Sequence, residues 1–400
     1  MQKIINDPVY GFITISDPLI FKIIAHPYFQ RLRRIHQMAL AYLVYPGAVH
    51  TRLHHALGAY HLMSNAIKEL RTKGVDISYD EEVAAQAAIL LHDVGHGPFS
   101  HALEKHLVIG THHEELSLYM MQAMNGELGG KLDMAIAIFT NEYPKRFLHQ
   151  LVSGQLDVDR MDYLSRDSFY TGVSEGVIGY DRILKMLTVH NGELMVEEKG
   201  IYSIEKFLVA RRQMYWQVYL HKTVLSAEIM LVNVLKRAKL LATSGDKTLV
   251  TGVAMDYFLY DFKGGLSKEM LDKFCLLDDV DCAFAIKRWC NHSDFVLSEL
   301  CKRLLNRQLL KIKLQSEPFE ASILQQKLQV ATSILGIDKE AATYFAFTGE
   351  ADNTMYNMGD DKINIMFKDG TVKDIASIDN PLIHQTISAP IKKFYICSLI

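Results

Sequence analysis

A mainly helical fold with a smaller α+β lobe at the C-terminal end is predicted by three features of the sequence. The first is periodicity, because apolar residues in Leu53–Lys73 recur at steps of three and four and so share one helical face. The second is the absence of Pro and Gly from Glu205 to Thr243, which predicts one long helix or two helices stacked end to end. The third is a change after Ser244-Gly245-Asp246, where helical and strand-like segments alternate.

A second helix is predicted to begin after Ser78, since Ser78 and Glu81 have the spacing of a capping box. Residues 83–91 are apolar on nearly every side, which is typical of a buried helix. This segment ends in His92-Asp93, and Gly95 follows as a helix breaker. A charged pair carried into the interior in this way needs a partner.

The C-terminal lobe is predicted to cover residues 244–400, after a first domain over residues 1–243. Helices are expected near 296–307 and 319–334. Lys368-Asp369-Gly370 has the composition of a hairpin turn. Strands are predicted at four segments: Leu310–Leu314, Tyr344–Phe347, Ile363–Phe367 and Phe394–Leu399.

Composition excludes several classes of protein. Hydrophobic residues make up 49 % and charged residues 22 %, which is ordinary for a chain with a filled core. No run of eighteen apolar residues predicts a membrane span, and the N-terminus lacks the apolar segment of a secretory signal. The five cysteines never form a CxxC pair, so we expect reduced thiols in the cytoplasm. A net charge of −3 gives no general attraction to nucleic acid. The basic run Arg31, Arg33 and Arg34 is only weak support for nucleic-acid binding.

A metal site is predicted from the unevenly distributed histidines, 12 of which, out of 17, lie within the first 113 residues. The candidate ligands are His55, His92, Asp93 and Asp159. Two imidazoles and two carboxylates suit one borderline divalent ion such as Fe, Mn or Zn. Each residue alone is more often part of a core or a chance dipeptide, and only the combination predicts the site.

These four residues also match the H…HD…D pattern of the HD superfamily. The surrounding sequence resembles one branch of it, the deoxynucleoside-triphosphate (dNTP) triphosphohydrolases, which include bacterial dGTPase-like HD phosphohydrolases. The resemblance covers roughly residues 1–240, and past that point it is weak. The matching stretches are residues 5–8, 29–33, 45–48, 92–101 and 157–163. The resemblance implies a helical HD core, hydrolysis of a nucleoside triphosphate with Mg²⁺ able to accompany its phosphates, and a homo-oligomer.

The acid–base candidates follow the predicted ligands along the chain. His96, His101 and His113 can donate protons near neutral pH. The resemblance implies that all three line the α-phosphate and that His101 is the general acid to the 5′ oxygen. Glu104, three residues further on, could orient His101 if that segment is helical.

The substrate-binding candidates fall into two groups. Arg52, Arg160 and Arg211 offer forked donors that suit phosphate oxygens. Asp159, Tyr163 and Asp167 are spaced by four, as are Arg211, Tyr215 and Tyr219, and such stripes are more often core than substrate clamp. The resemblance favours the clamp for Tyr163 and Tyr219. It implies that Gln37 and Asp167 hold the sugar 3′-hydroxyl and that Tyr219 and the neighbourhood of Met38 crowd the 2′ side.

A nucleotide effector site is the last implication of the resemblance, near Lys3, Gln30 and Arg33. In family members with such a site an aspartate accepts hydrogen bonds from guanine, and here Ala25 aligns with it. We therefore expect no guanine-specific activation.

Two other functions remain open from the sequence. One is a different HD phosphohydrolase, such as a nucleotidase or a phosphodiesterase. The other is a nucleotide-sensing or nucleic-acid-binding protein without catalysis, against which the intact ligand set argues.

Overall fold

The structure, a computed structural model, describes residues 2–99, 103, 106–108, 110–353, 362–378 and 391–400. The predicted mainly helical fold is confirmed. The helices of the first part are α1 Pro18–Ala25, α2 Pro27–Gln30, α3 Arg52–Thr72, α4 Tyr79–Leu91, α5 His113–Glu127, α6 Asp133–Phe139, α7 Arg146–Val152, α8 Val158–Thr171, α9 Tyr180–Met186, α10 Ile201–Met214 and α11 Lys222–Thr243. Those of the second part are α12 Val253–Asp256, α13 Lys268–Leu276, α14 Asp279–Trp289, α15 Phe295–Leu305, α16 Ala321–Leu335 and α17 Lys339–Ala342.

The described strands form three small sheets. A hairpin pairs β1 Lys3–Asp7 with β2 Gly11–Ile15. A four-stranded sheet has the order β3 Leu187–His190, β4 Glu193–Glu197, β7 Asn364–Met366 and β8 Val372–Asp374, with β4 and β7 parallel. A three-stranded antiparallel sheet has the order β5 Lys311–Gln315, β9 Ile391–Ser398 and β6 Phe347–Asn353. The four-stranded sheet joins strands from both sides of residue 243, where the domain boundary stays a prediction.

Helices α3, α4 and α8 form the centre of the first part, and α3 packs against both of the others. The predicted capping box at the start of α4 is present, because the Ser78 side chain accepts from the Glu81 backbone and Glu81 accepts from the Ser78 backbone at 2.7 Å. Gly58 in α3 allows the close approach to α8, since a Cβ there would lie 2.0 Å from Oδ1 of Asp162.

Arg31 is buried and holds the turn that follows α4. Its Nη1 donates hydrogen bonds to the carbonyl oxygens of Val94 and His96 at 2.9 and 2.8 Å. Its guanidinium lies 4.6 Å from the ring centroid of Phe274. The arginines at positions 31, 33 and 34 therefore do not form a uniformly solvated basic face, because Arg31 is buried and binds backbone carbonyl groups.

Of the two alternatives predicted for Glu205–Thr243, the structure has two helices, but they are not stacked end to end. Residues Tyr215–Tyr219 form a π-helical turn in which the Leu220 amide donates to the Tyr215 carbonyl at 2.7 Å. The helices on the two sides of this turn meet at 57°. Such single π turns are frequent at functional sites.

The strand predicted at Tyr344–Phe347 was also misplaced. The chain makes a turn there after α17, and β6 begins only at Phe347. The other three predicted strands, the hairpin turn at Lys368-Asp369-Gly370 and both predicted C-terminal helices are present within a few residues. No single described helix is long and apolar enough to cross a membrane, and only α10 and α11 taken together as a bent pair reach that length and composition.

Candidate metal centre and substrate cavity

Three helices bring the predicted metal ligands together. His55 lies in the first turn of α3, His92 follows α4, and Asp159 lies in the first turn of α8. One ligand atom from each lies within 4.8 Å of the others. The Nε2 atoms of His55 and His92 are 3.0 and 3.4 Å from the same oxygen, Oδ1 of Asp159.

Both imidazoles are oriented through their other nitrogen. Nδ1 of His55 lies 2.7 Å from Oδ2 of Asp162, and Nδ1 of His92 lies 2.7 Å from the carbonyl oxygen of Ile89. Neither buried Nε2 makes a well-formed hydrogen bond with a described residue. Metal-binding histidines are held in this way, with one nitrogen on a carboxylate or carbonyl and the other left for the ion. The donor set of two imidazoles and a carboxylate therefore fits a divalent ion.

Asp93 lies beside this cluster and is shared by several groups. Its Oδ2 accepts a hydrogen bond from Nη1 of Arg52 at 2.7 Å. Its Oδ1 is 3.2 Å from Nε2 of His96 and 3.4 Å from Nε2 of His92. Burial alone would raise the pKa of Asp93, but its interactions with His96, His92 and Arg52 hold it well below its usual range. Its role as a fourth ligand stays a prediction.

A buried network of ion pairs, formed by Asp162, Arg166 and Asp7, holds His55 in place. Arg166 donates from Nε and Nη2 to the two carboxylate oxygens of Asp162, each at 3.0 Å. Its Nη1 donates to Asp7 of β1 at 2.8 Å. Burial alone would lower the pKa of His55, but the carboxylates of Asp159 and Asp162 raise it to about 10.

His96 and His113 form a stacked pair next to the centre, with ring centroids 4.0 Å apart. Burial and the charge of Arg52 lower the pKa of His96 to about 3, so its ring is neutral at pH 7. Gly95 permits the contact with α5, because a Cβ there would lie 2.3 Å from the carbonyl oxygen of His113. The predicted general acid His101 and its partner Glu104 lie outside the described residues.

A cavity of about 390 Å³ adjoins the cluster and contains most of the predicted substrate residues. Six predicted residues line it: Gln37, Met38, Arg52, Tyr163, Asp167 and Tyr219. Oδ1 of Asp167 is 2.8 Å from Nε2 of His50, and Oδ2 accepts from the Tyr219 hydroxyl at 2.8 Å. The Asp167 carboxylate is thereby fixed in the wall of the cavity.

The comparisons with known proteins agree with this geometry. The HD domain model matches residues 52–167, and the HD associated region model matches residues 178–256. The YwfO protein of Bacillus subtilis is 32 % identical over 386 residues, which cover 94 % of this chain and 87 % of that protein. The chain belongs to the HD domain family.

Two further similarities concern proteins with a named activity. The crystal structure of a phosphohydrolase from Bacteroides thetaiotaomicron is 51 % identical, with a TM-score of 0.95 over 100 % of both chains. The deoxynucleoside triphosphate triphosphohydrolase SAMHD1 homolog of Dictyostelium discoideum is 32 % identical over 258 residues. That alignment covers 59 % of this HD-domain protein and 49 % of the relative, so the chain spans about half the length of this dNTPase.

Arg160 and Arg211 lie near this cavity but do not line it. Arg160 is paired with Asp157, whose side chain also caps the start of α8. Arg211 is buried in α10 and donates to Oε1 of Gln155 at 3.3 Å. Burial raises the pKa of the Tyr163 hydroxyl above its usual range, and the charges of Arg211 and Arg160 oppose that rise. Their role in phosphate binding stays a prediction.

A second cavity, of about 840 Å³, contains the predicted effector residues of this HD-domain protein. Lys3, Gln30 and Arg33 line it together with Ala25. Nε of Arg33 donates to Oε1 of Gln30 at 2.8 Å, which fixes both side chains at the rim. The structure thus brings the predicted residues together, and their ligand stays a prediction.

The sequence reasoning missed the residues that hold the site residues in place. His50 contacts Asp167 and Asp162 contacts His55, whereas Arg166 acts on His55 only through Asp162. Asp162 could have been found from its position three residues after Asp159 on the same helix, because this spacing places both on the same face. His50 gave no signal, because its partner Asp167 lies 117 residues away in the chain.

Proposed function

We propose that this protein hydrolyses dNTPs to deoxynucleosides and inorganic triphosphate with one divalent metal ion. The observation that carries the proposal is the position of Arg52. It lines the substrate cavity and also donates to Asp93 beside the ligand cluster. A nucleotide in the cavity would therefore present its phosphates to the ligand cluster.

His55, His92 and Asp159 would hold the ion, with Asp93 as the fourth candidate. The ion would supply Lewis acidity toward a phosphoryl oxygen and would lower the pKa of water. Fe, Mn and Zn all suit the ligand set, and Mg²⁺ could accompany the phosphates. The named dNTPase relative supports a nucleotide substrate.

The chain's own residues would position the sugar and move protons. Asp167, fixed by His50 and Tyr219, offers an acceptor for the 3′-hydroxyl. Tyr219 and Met38 would crowd the 2′ position, where deoxyribose has no hydroxyl. In our proposal His101 gives the leaving 5′ oxygen its proton, with Glu104 orienting it.

Phosphate binding would come from Arg52, with Arg160 and Arg211 as further candidates. Holding the three phosphates as one unit predicts that intact triphosphate leaves. His96 is neutral and stacked on His113, and both would line the α-phosphate. A homo-oligomer is part of the same proposal.

Product analysis tests the proposal. The purified protein is incubated with each of four dNTPs and four NTPs, with Mn²⁺, Fe²⁺, Zn²⁺ or Mg²⁺ added, and the products are separated by ion-exchange chromatography. We expect deoxynucleoside and triphosphate in equal amounts, with dNTPs preferred over NTPs. Stepwise orthophosphate, pyrophosphate or equal rates on ribonucleotides would instead indicate another HD phosphohydrolase, and no turnover under any condition would favour a sensing role.

A further inference from the structure

Helix α11 contributes one wall of the substrate cavity. Each residue of α11 that lines it has another lining residue three or four positions away, so they share one face of the helix. They are Val224, Leu225, Glu228, Ile229, Leu231 and Val232. Glu228 is thus a single carboxyl in an otherwise apolar wall.

The Glu228 carboxyl makes neither a hydrogen bond nor an ion pair with any described residue. The other acid in the cavity wall, Asp167, has two partners, His50 and Tyr219. Burial alone raises the pKa of Glu228 to about 7, with no nearby cation to lower it. An unpaired carboxyl in an apolar wall costs stability, so it needs a functional reason.

The position of Glu228 relative to Tyr219 indicates what it would meet. Tyr219 and Asp167 mark the proposed sugar site, and α11 begins three residues after Tyr219. Glu228 lies roughly 9 Å along the helix axis from Lys222, at 1.5 Å per residue. With the phosphates at the Arg52 end and the sugar at Asp167, the part of the nucleotide left to contact α11 is the base.

We propose that Glu228 recognises the base of the substrate and favours guanine, an inference that rests on the proposed function. A carboxylate is an acceptor with two oxygens and forms its strongest contacts with two adjacent donors. Hydrogen bonds from two such donors favour the ionised form, so they would lower the pKa of Glu228 in the complex. Guanine presents two neighbouring donors, its N1–H and its 2-amino group. Adenine and cytosine place a ring lone pair beside their amino group, and thymine flanks its N–H with two carbonyl oxygens.

The test compares Glu228→Gln with the wild type and with Glu340→Gln, a control at an exposed position of α17. The amide keeps the shape of the carboxyl but replaces one acceptor oxygen with a donor. The ratio of kcat/KM for dGTP to that for dATP is measured for all three proteins. We expect the wild type and Glu340→Gln to prefer dGTP, and the ratio to fall by about ten- to a hundredfold in Glu228→Gln, as for loss of one bidentate base contact.

A second measurement separates this inference from the proposed function. Binding of deoxyguanosine and deoxyadenosine to the three proteins, by equilibrium dialysis, needs no turnover. If no dNTP is hydrolysed but deoxyguanosine binds preferentially to the wild type and not to Glu228→Gln, the proposed function fails and the role of Glu228 stands. A wild type without guanine preference, or the same base ratio in the wild type and Glu228→Gln, would overturn the inference.

Discussion

Replacing Gly58 by Ala should disrupt the metal centre without changing any ligand. The added Cβ would lie 2.0 Å from Oδ1 of Asp162 and 2.1 Å from Nη2 of Arg166. To restore an ordinary contact of 3.4 Å, the ion pair would have to move by roughly 1.4 Å. His55 depends on that pair, because its Nδ1 lies 2.7 Å from Asp162.

Two opposing effects set the size of the change. Alanine in a helix is favoured over glycine by about 0.5–1 kcal/mol. Breaking a buried ion pair costs about 3–5 kcal/mol. We therefore expect Gly58→Ala to lower the free energy of unfolding by about 2–4 kcal/mol and metal affinity by about 10- to 100-fold, as for loss of a residue that orients a ligand.

Gly126→Ala is the matched control. Gly126 is an exposed helical glycine in α5, and a Cβ there would meet no atom within 4 Å. The free energy of unfolding of this variant should rise by about 0.5–1 kcal/mol, and it should bind metal as the wild type does. Urea unfolding and metal content after dialysis measure both effects. A Gly58→Ala protein as stable as Gly126→Ala, with wild-type metal content, would refute the reasoning.

Three further outcomes follow from the structure. His92→Ala should abolish hydrolysis and lower the bound metal measured by mass spectrometry, because an incomplete ligand set binds the ion poorly; full activity after metal depletion would exclude the site. Burial would raise the pKa of Glu81, but hydrogen bonds from Lys145, the Ser78 amide and Tyr143 lower it to about 2. The ionised Glu81 carboxylate therefore stabilises the fold above pH 4.5, and this stabilisation is lost as the pH falls toward 2. The difference in free energy of unfolding between wild type and Glu81→Gln should shrink over that range. A difference that stays constant would contradict the lowered pKa of Glu81. GTP should not be required for dNTP turnover, because Ala25 offers no side-chain acceptor; strong activation by GTP with ATP and dATP inert would show the reading of Ala25 to be wrong.

The cluster of candidate metal ligands could be predicted from the sequence because local pattern and chemistry coincide there. His92-Asp93 ends an apolar helix, and the glycine at 95 follows directly, so a charged pair had to lie at the edge of the core. The match to the HD pattern then supplied His55 and Asp159. The structure places one ligand atom each from His55, His92 and Asp159 within 4.8 Å.

The bend between α10 and α11 could not be predicted, because it contains neither Pro nor Gly. A π turn arises when one extra residue enters the helix, and tertiary packing rather than local propensity decides where. The side chains of Tyr215 and Tyr219 line the cavity, whereas that of Arg211, one turn earlier in α10, does not. The predicted spacing of four residues therefore did not place all three side chains on one wall.

Glu228 was missed for a similar reason. Helix α11 carries apolar residues on most of its circumference, and a single glutamate in such a sequence is typical of the solvated side of an amphipathic helix. Only the three-dimensional packing shows that its face lines the cavity and that no described cation lies beside it. The local sequence pattern of α11 therefore could not show that the Glu228 carboxyl lacks a partner.

Hydrolysis of a dNTP in H₂¹⁸O tests the central claim most directly. If water attacks the α-phosphorus at the centre formed by His55, His92 and Asp159, one ¹⁸O atom should appear in the triphosphate and none in the deoxynucleoside. The same label should be absent with His92→Ala protein. Label in orthophosphate, or label in the 5′-hydroxyl of the deoxynucleoside, would contradict the account.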